Sequence, residues 1–252
     1  MFDLLINLWI FVFGLMVGSF LNCVIYRLEV DKSFLNGRSF CPHCKHELAW
    51  HDLIPVFSFL ILKGKCRYCH KKISWQYPLV ELATALLFVS IVNIFHFPFF
   101  IYHLIIACFL IVIFVYDLKH YIIPDKIIYS AIILLFLYNL FNTKYLILNT
   151  GFSAFGASGF FLLIYLISRG QWLGFGDVKL ALLMGLYLGF PNILVALFIS
   201  FFIGAVVGLI LIARGKKTLK SEVPFGPFLI TGTFIALFCG EQYLNLFLLR
   251  YG

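Results

Sequence analysis

The stretch Phe99-Phe-Ile-Tyr-His-Leu-Ile-Ile-Ala-Cys-Phe-Leu-Ile-Val-Ile-Phe-Val-Tyr-Asp117 decides the fold class. Eighteen residues without a Lys, Arg, Asp or Glu run up to the aspartate. As a helix rising 1.5 Å per residue they extend for about 27 Å, close to the thickness of a bilayer's hydrocarbon core. The run lacks the two-residue alternation of a barrel strand, and backbone groups in lipid must then bond within their own helix. Comparable runs fill most of the 252 residues, at about 4–26, 77–95, 126–142, 146–168, 177–190, 192–213 and 226–240. The chain is 63% hydrophobic and only 12% charged, with a mean hydropathy of +1.02. A soluble domain carries roughly 25% charged residues. The expectation is an all-α, polytopic integral membrane protein of about eight transmembrane helices. Asp3 precedes the first run and no basic segment leads into it, so it reads as a retained helix rather than a signal peptide. The runs at 177–190 and 192–213, joined by Phe190-Pro191-Asn192, are the ones whose separate full crossings the sequence defines least sharply.

Charge placement gives the orientation. The net charge of +8 is not a nucleic-acid signal in such a chain, and no nucleic-acid partner is expected. Segment 27–76 holds nine Lys/Arg residues, and loop 214–222 adds Arg214, Lys216, Lys217 and Lys220. With eight spans, the loops of one side collect 17 of the 19 basic residues, leaving Lys144 and Arg250 opposite. Basic loops stay in the cytosol, so that side is cytosolic and both termini lie outside. Asp117, Asp125 and Asp177 then share the cytosolic rim. Residues 151–159, rich in Gly, Ala and Ser, give the fifth span a small-residue face that suits close helix packing.

Segment 27–76 is the one sizeable element outside the spans. It carries Cys41-Pro-His-Cys44 and Cys66-Arg-Tyr-Cys69, two C-x₂-C hooks separated by 21 residues. Each hook offers two sulfurs, and two hooks complete a tetrahedral Cys₄ zinc site of the ribbon type. Disulfides fit poorly in a reducing cytosol. Four thiolates leave no position for water, so the zinc is structural and folds a loop too small to fold by burial alone. His43, His46, His51 and His70 are possible substitutes, but the cysteine set is complete. Cys23, Cys108 and Cys239 lie in apolar runs and read as packing residues.

Charge at membrane depth is costly and tends to be kept for chemistry or transport. Asp117 ends its span at a helix C-terminus, where the helix dipole disfavours a carboxylate. Asp125 follows Pro124 and suits a helix N-cap. Asp177 closes the turn Gly174-Phe-Gly-Asp177 and can also be read as a cap, which leaves the glycines unexplained. Gly174 and Gly176 permit close approach of another backbone, such as a peptide substrate. Lys179 can pair with a carboxylate or snorkel to the interface. Two neighbouring carboxylates cannot both ionise easily, so one stays protonated to polarise a carbonyl while the other takes a proton from water. Glu81, about one turn into the second span, can receive a methyl donor or a substrate amine, or simply bond between helices. Asn22 and Arg27, leaving the first span, have the same two readings.

These residues fall into pieces that resemble the bacterial type IV prepilin peptidases, the leader peptidase/N-methyltransferases of type IV pili, type II secretion and competence pseudopili. The pieces are Gly18-Ser-Phe-Leu-Asn-Cys-Val-Ile-Tyr-Arg-Leu28, the two hooks, Ile73-Ser-Trp-Gln-Tyr-Pro-Leu-Val-Glu-Leu82, Asp117 with Ile123-Pro-Asp125, Gly174-Phe-Gly-Asp-Val-Lys179 and Pro224-Phe-Gly-Pro-Phe228. The resemblance implies a Gly-x-Gly-Asp membrane protease with Asp117 and Asp177 catalytic. It implies cleavage of a prepilin or pseudopilin leader after a glycine at the cytosolic face of the bacterial plasma membrane. The new N-terminal residue, usually phenylalanine, would then be N-methylated from S-adenosylmethionine. No glycine-rich dinucleotide fingerprint is present, so the methyl donor rests on the resemblance. The implied organisation is a first helix at 1–26, a zinc-binding loop at 27–76 that contributes to methyl transfer with its flanking helices, and a peptidase helical domain at 77–252. Partners expected are the prepilin substrates and membrane lipids. The rival readings are a peptidase without methyl transfer, a proton- or cation-coupled transporter and a zinc scaffold without chemistry. Transporters place such charges near the bilayer midplane rather than at its rim.

Overall fold

The computed structural model describes residues 2–31, 33, 37–95, 99–142, 144–215 and 223–251. Lys32, Lys216, Lys217 and Lys220, counted above among the cytosolic charges, lie outside the described residues. Among the described residues nine α-helices follow one another: α1 Phe2–Glu29, α2 Phe57–Ile61, α3 Gln76–Ile94, α4 Phe99–His120, α5 Asp125–Asn142, α6 Lys144–Ser168, α7 Phe175–Leu188, α8 Asn192–Ala213 and α9 Gly226–Tyr251. Apart from the five-residue α2 they number eight, as the apolar runs predict. Among the described residues the β structure is confined to isolated bridges, Phe40 with Glu47 and Lys65 with Lys72.

Among the described residues five helices are long and apolar enough to cross a bilayer: Leu4–Glu29, Gln76–Ile94, Phe99–His120, Leu148–Ser168 and Asn192–Ala213. The shorter Gly226–Cys239 is apolar as well. The chain is a membrane protein. α7 has only 14 residues, about 21 Å of helix, which falls short of a bilayer core. It does not face lipid along its length, because α5, α6 and α9 pack around it and Asp177, Val178, Leu180, Ala181, Leu183 and Met184 are among its buried residues. A helix enclosed by protein does not have to match the membrane thickness.

The chain divides into two compact units, Met1–Val112 and Ile113–Gly252. In the first, α1 and α3 pack together with the cysteine loop between them in sequence. Their backbones meet closely: a Cβ added at Gly14 would stand 2.6 Å from Ala85 Cα, and one at Gly18 would stand 2.7 Å from Glu81 Cα. In the second, Gly185 of α7 presses against the backbone of Ala154 on α6. The small-residue face of α6 thus serves as a seam through Ser153, Ala154 and Ala157, which are buried. Gly151, Gly156 and Gly159 take no part in it, since a Cβ at each would meet nothing within 4 Å. Gly156 instead lines an apolar groove of about 710 Å³ with Ser153, Ala157, Phe160, Ile193 and Phe201.

Candidate active site and metal centre

In the second unit, α4 carries Asp117 one turn before its end at His120. Tyr121 adopts φ +58° and donates its N–H to Asp117 O at 2.9 Å, and Pro124 follows, so the helix cannot continue. This stop leaves the Asp117 carboxylate at the helix end. It is 4% exposed. Gly226, the first residue of α9, sets its backbone directly against that carboxylate. A Cβ at Gly226 would stand 2.5 Å from Asp117 Oδ2, so only a glycine lets the backbone come this near.

Asp177 sits in the first turn of α7, 8% exposed. Gly174 precedes the helix in an extended conformation (φ −75°, ψ 152°) and donates its N–H to Asp177 Oδ2 at 3.2 Å, while Asp177 N–H donates to Gly174 O at 3.1 Å. Asp177 is therefore a first-turn carboxylate that reaches back to the capping residue, a reciprocal arrangement that also suits the positive end of the helix dipole. Gly176 is placed against Ile123, from which an added Cβ would be 3.2 Å away, and Ile123 Cδ1 lies 3.6 Å from the Cβ position of Gly226. Ile123 is buried. Two glycines and one isoleucine thus bring the α4–α5 turn, α7 and α9 to a single locus. Asp117 and Asp177 are close enough there to act on each other electrostatically.

Asp125 is not part of that locus. Its side chain is 64% exposed and accepts a hydrogen bond from Lys179 Nζ at 2.5 Å, an ion pair joining α5 to α7. Lys179 also lies over the rings of Tyr129 and Phe175, at 4.9 and 5.2 Å from their centroids. Gly226 is the site residue that reading single positions missed. Its signal was the Pro224-Phe-Gly-Pro-Phe228 segment, whose glycine gained meaning only when α9 was seen against α4.

In the first unit, the two hooks have the same backbone design at an offset of 25 residues. Cys41 N–H donates to His46 O and Lys45 N–H to Cys41 O, both at 2.9 Å. Cys66 N–H donates to Lys71 O and His70 N–H to Cys66 O, again at 2.9 Å. The residue after each second cysteine takes positive φ, Lys45 at +60° and His70 at +56°. The four sulfurs lie within 4.8 Å of one another, with Cys41 and Cys69 Sγ 3.9 Å apart. A tetrahedral zinc with bonds of about 2.3 Å needs sulfurs roughly 3.8 Å apart, so the donor set fits that metal. The histidines do not join the cluster among the described residues.

Asp52 ties the hooks together. It accepts from Arg67 Nε at 2.8 Å, Tyr68 Oη at 3.1 Å and Ala49 N–H at 3.3 Å. Burial alone would push the Asp52 carboxyl up, but these three donors hold it below the usual carboxylate range. Arg27 and Glu81 fasten the loop to its helices, and Asn22 ties the two helices to each other. Arg27 donates to Ser33 O at 3.1 Å and Gly37 O at 2.6 Å. Asn22 Nδ2 donates to Tyr77 O at 3.0 Å, and Glu81 Oε2 accepts from Val56 N–H at 2.8 Å.

Residues 12–95 match the bacterial peptidase A24 N-terminal domain, and residues 104–209 match the type IV leader peptidase family. The chain belongs to the type IV leader peptidase family. A prepilin leader peptidase/N-methyltransferase of Legionella pneumophila is 32% identical over 92% of this chain and 91% of its own. One of Bacillus subtilis is 31% identical over 95% and 96%, and one of Myxococcus xanthus 35% identical over 88% and 68%. No solved structure matches the chain. The first family match contains both hooks and Glu81, and the second contains Asp117, Asp125 and Asp177. Gly226 lies beyond both.

Proposed function

We propose that this chain is a prepilin leader peptidase and N-methyltransferase of the bacterial plasma membrane, with Asp117 and Asp177 as its peptidase dyad. The observation that carries the reading is the convergence of two buried carboxylates from separate helices, Asp177 held by the Gly174 amide and Asp117 set against the backbone of Gly226. One carboxylate bonded to one amide keeps a free oxygen for a water or a scissile carbonyl. Two such groups in mutual repulsion favour the state with a single shared negative charge. The ionised member takes a proton from water as it attacks the leader's peptide carbonyl, and the protonated member donates to the developing oxyanion. Collapse of the tetrahedral intermediate releases the amine, which takes up a proton. The extended, exposed backbone at Gly174 suits a substrate strand laid beside the start of α7.

The amine so freed is the group that S-adenosylmethionine methylates. We assign that step to the zinc loop with its flanking helices, and we assign Cys41, Cys44, Cys66 and Cys69 a structural zinc. Arg27 and Glu81 serve the loop by holding it to α1 and α3, as their hydrogen bonds to Ser33, Gly37 and Val56 favour, and Asn22 joins α1 to α3 through Tyr77. The excess of Lys and Arg in segment 27–76 supports a cytosolic position for the loop and the dyad.

The test incubates purified protein with a short prepilin and a labelled methyl donor. Asp117→Asn and Asp177→Asn should each abolish cleavage while the variants unfold at the wild-type temperature. Full cleavage by either variant would remove the dyad. A processed but unlabelled product from the wild type would restrict the enzyme to proteolysis.

A further inference from the structure

The cysteine loop carries apolar side chains that its own fold leaves uncovered. In α2, Phe59 turns inward, 9% exposed, with its ring centroid 4.9 Å from that of Trp75. Phe57, Leu60 and Ile61 occupy the opposite face at i, i+3 and i+4, and they are 61%, 60% and 74% exposed. Trp50 and Trp75, at matching positions after the two hooks, are 78% and 67% exposed. Such a concentration on a small loop marks an interaction surface.

The loop's attachment sets its depth. Val56, immediately before α2, donates its N–H to Glu81, five residues into α3. At 1.5 Å per residue that is about 7 Å inside a helix whose whole length only just covers a bilayer core. α2 therefore hangs level with the first turns of a membrane span, not above it in water. Directly after α2 come Lys63 and Lys65, both exposed. Segment 27–76 holds nine basic residues against four acidic ones, and two of the acidic ones, Glu47 and Asp52, are already paired with Arg38 and Arg67. Apolar side chains at the headgroup level, with tryptophans and exposed lysines beside them, are the composition of an interfacial element.

We infer that α2 and the flanking tryptophans dock into the surface of the bilayer. Phe57, Leu60 and Ile61 enter the boundary between headgroups and acyl chains, and Lys63 and Lys65 take anionic phospholipid headgroups. Two opposed faces thereby hold the loop: Phe59 grips it from within, against one face of Trp75, and lipid holds it from without. Glu81 fixes the height at which this happens. The attraction of lysines to an anionic leaflet adds to the apolar insertion and falls with added salt.

Photocrosslinking on the full-length protein tests this. Benzoylphenylalanine replaces Phe57, an exposed aromatic of similar shape. The protein is reconstituted into nanodiscs of phosphatidylcholine with a minor share of phosphatidylglycerol, irradiated and analysed by mass spectrometry, with prepilin present or absent. The expected result is a lipid adduct in which phosphatidylglycerol exceeds its share of the bilayer. The Lys63→Gln/Lys65→Gln variant should keep the lipid adduct and lose that preference. An adduct to a second copy of the chain, an adduct only to added prepilin, or no adduct from a protein with unchanged thermal unfolding would overturn the proposal. A phosphatidylglycerol preference that survives both lysine substitutions would overturn the headgroup assignment.

Discussion

Gly226→Ala gives a direct test of how Asp117 is held. The added methyl would stand 2.5 Å from Oδ2 and 3.2 Å from Cγ of Asp117. Non-bonded heavy atoms rest about 3.5 Å apart or more, so the carboxylate must retreat by about 1 Å. The obstructed atom is the end of a side chain, and a rotation of Asp117 relieves the clash without moving α4 or α9. Stability should therefore change little, while the reacting oxygen loses its place. Displacements of about 1 Å at a reacting group cost on the order of 100-fold in rate, or about 2.7 kcal/mol of barrier. The assay is single-turnover cleavage of a prepilin in detergent, with the thermal unfolding midpoint measured in parallel. Gly208→Ala is the control, because a Cβ there meets nothing within 4 Å. The expected pattern is a loss of about two orders of magnitude in cleavage for Gly226→Ala and none for Gly208→Ala, with both proteins folded. Wild-type cleavage by Gly226→Ala would refute the placement of α9 against Asp117. An unfolded Gly226→Ala would refute the idea that a side-chain rotation absorbs the methyl.

Three further outcomes follow from the packing. Cys66→Ser removes one of the two buried ligands, and metal analysis should find less than the wild-type zinc together with faster proteolysis of segment 37–75; zinc-free wild type would contradict the Cys₄ assignment. Glu81→Ala leaves the Val56 N–H without its acceptor at a local cost of about 1–3 kcal/mol, read as faster amide exchange over residues 54–61; unchanged exchange would break the link between Glu81 and the loop. Gly185→Ala drives a methyl into the backbone of Ala154, which cannot rotate away as Asp117 can, and should cost about 1–3 kcal/mol in thermal unfolding. A neutral Gly185→Ala would mean that α6 and α7 separate easily.

Much of the site was legible because membrane sequences spend charge sparingly. Asp117, Asp177 and the cysteine hooks stand out against an apolar background, and the hook spacing carries its own geometry. Asp125 stood out for the same reason, yet its carboxylate goes to Lys179 at an exposed rim. Charge in a sequence marks an exception without naming its partner. Gly226 and Asp52 went unread for the opposite reason. A glycine in an apolar segment and an aspartate in a polar loop are both ordinary until another element arrives against them.

By itself, the sequence determined that this is a bundle of membrane helices with a four-cysteine loop on its basic side. Those properties follow from local quantities: length of apolar run, spacing of ligands and placement of lysines and arginines. Which glycines pack and which stand free, which carboxylates meet, and where the loop is tied to α3 were decided only by the tertiary structure. Each is a distance between residues far apart along the chain, where Gly185 meets Ala154, Gly226 meets Asp117 and Glu81 meets Val56. Close approach of two backbones depends on both partners at once, and no single segment encodes it.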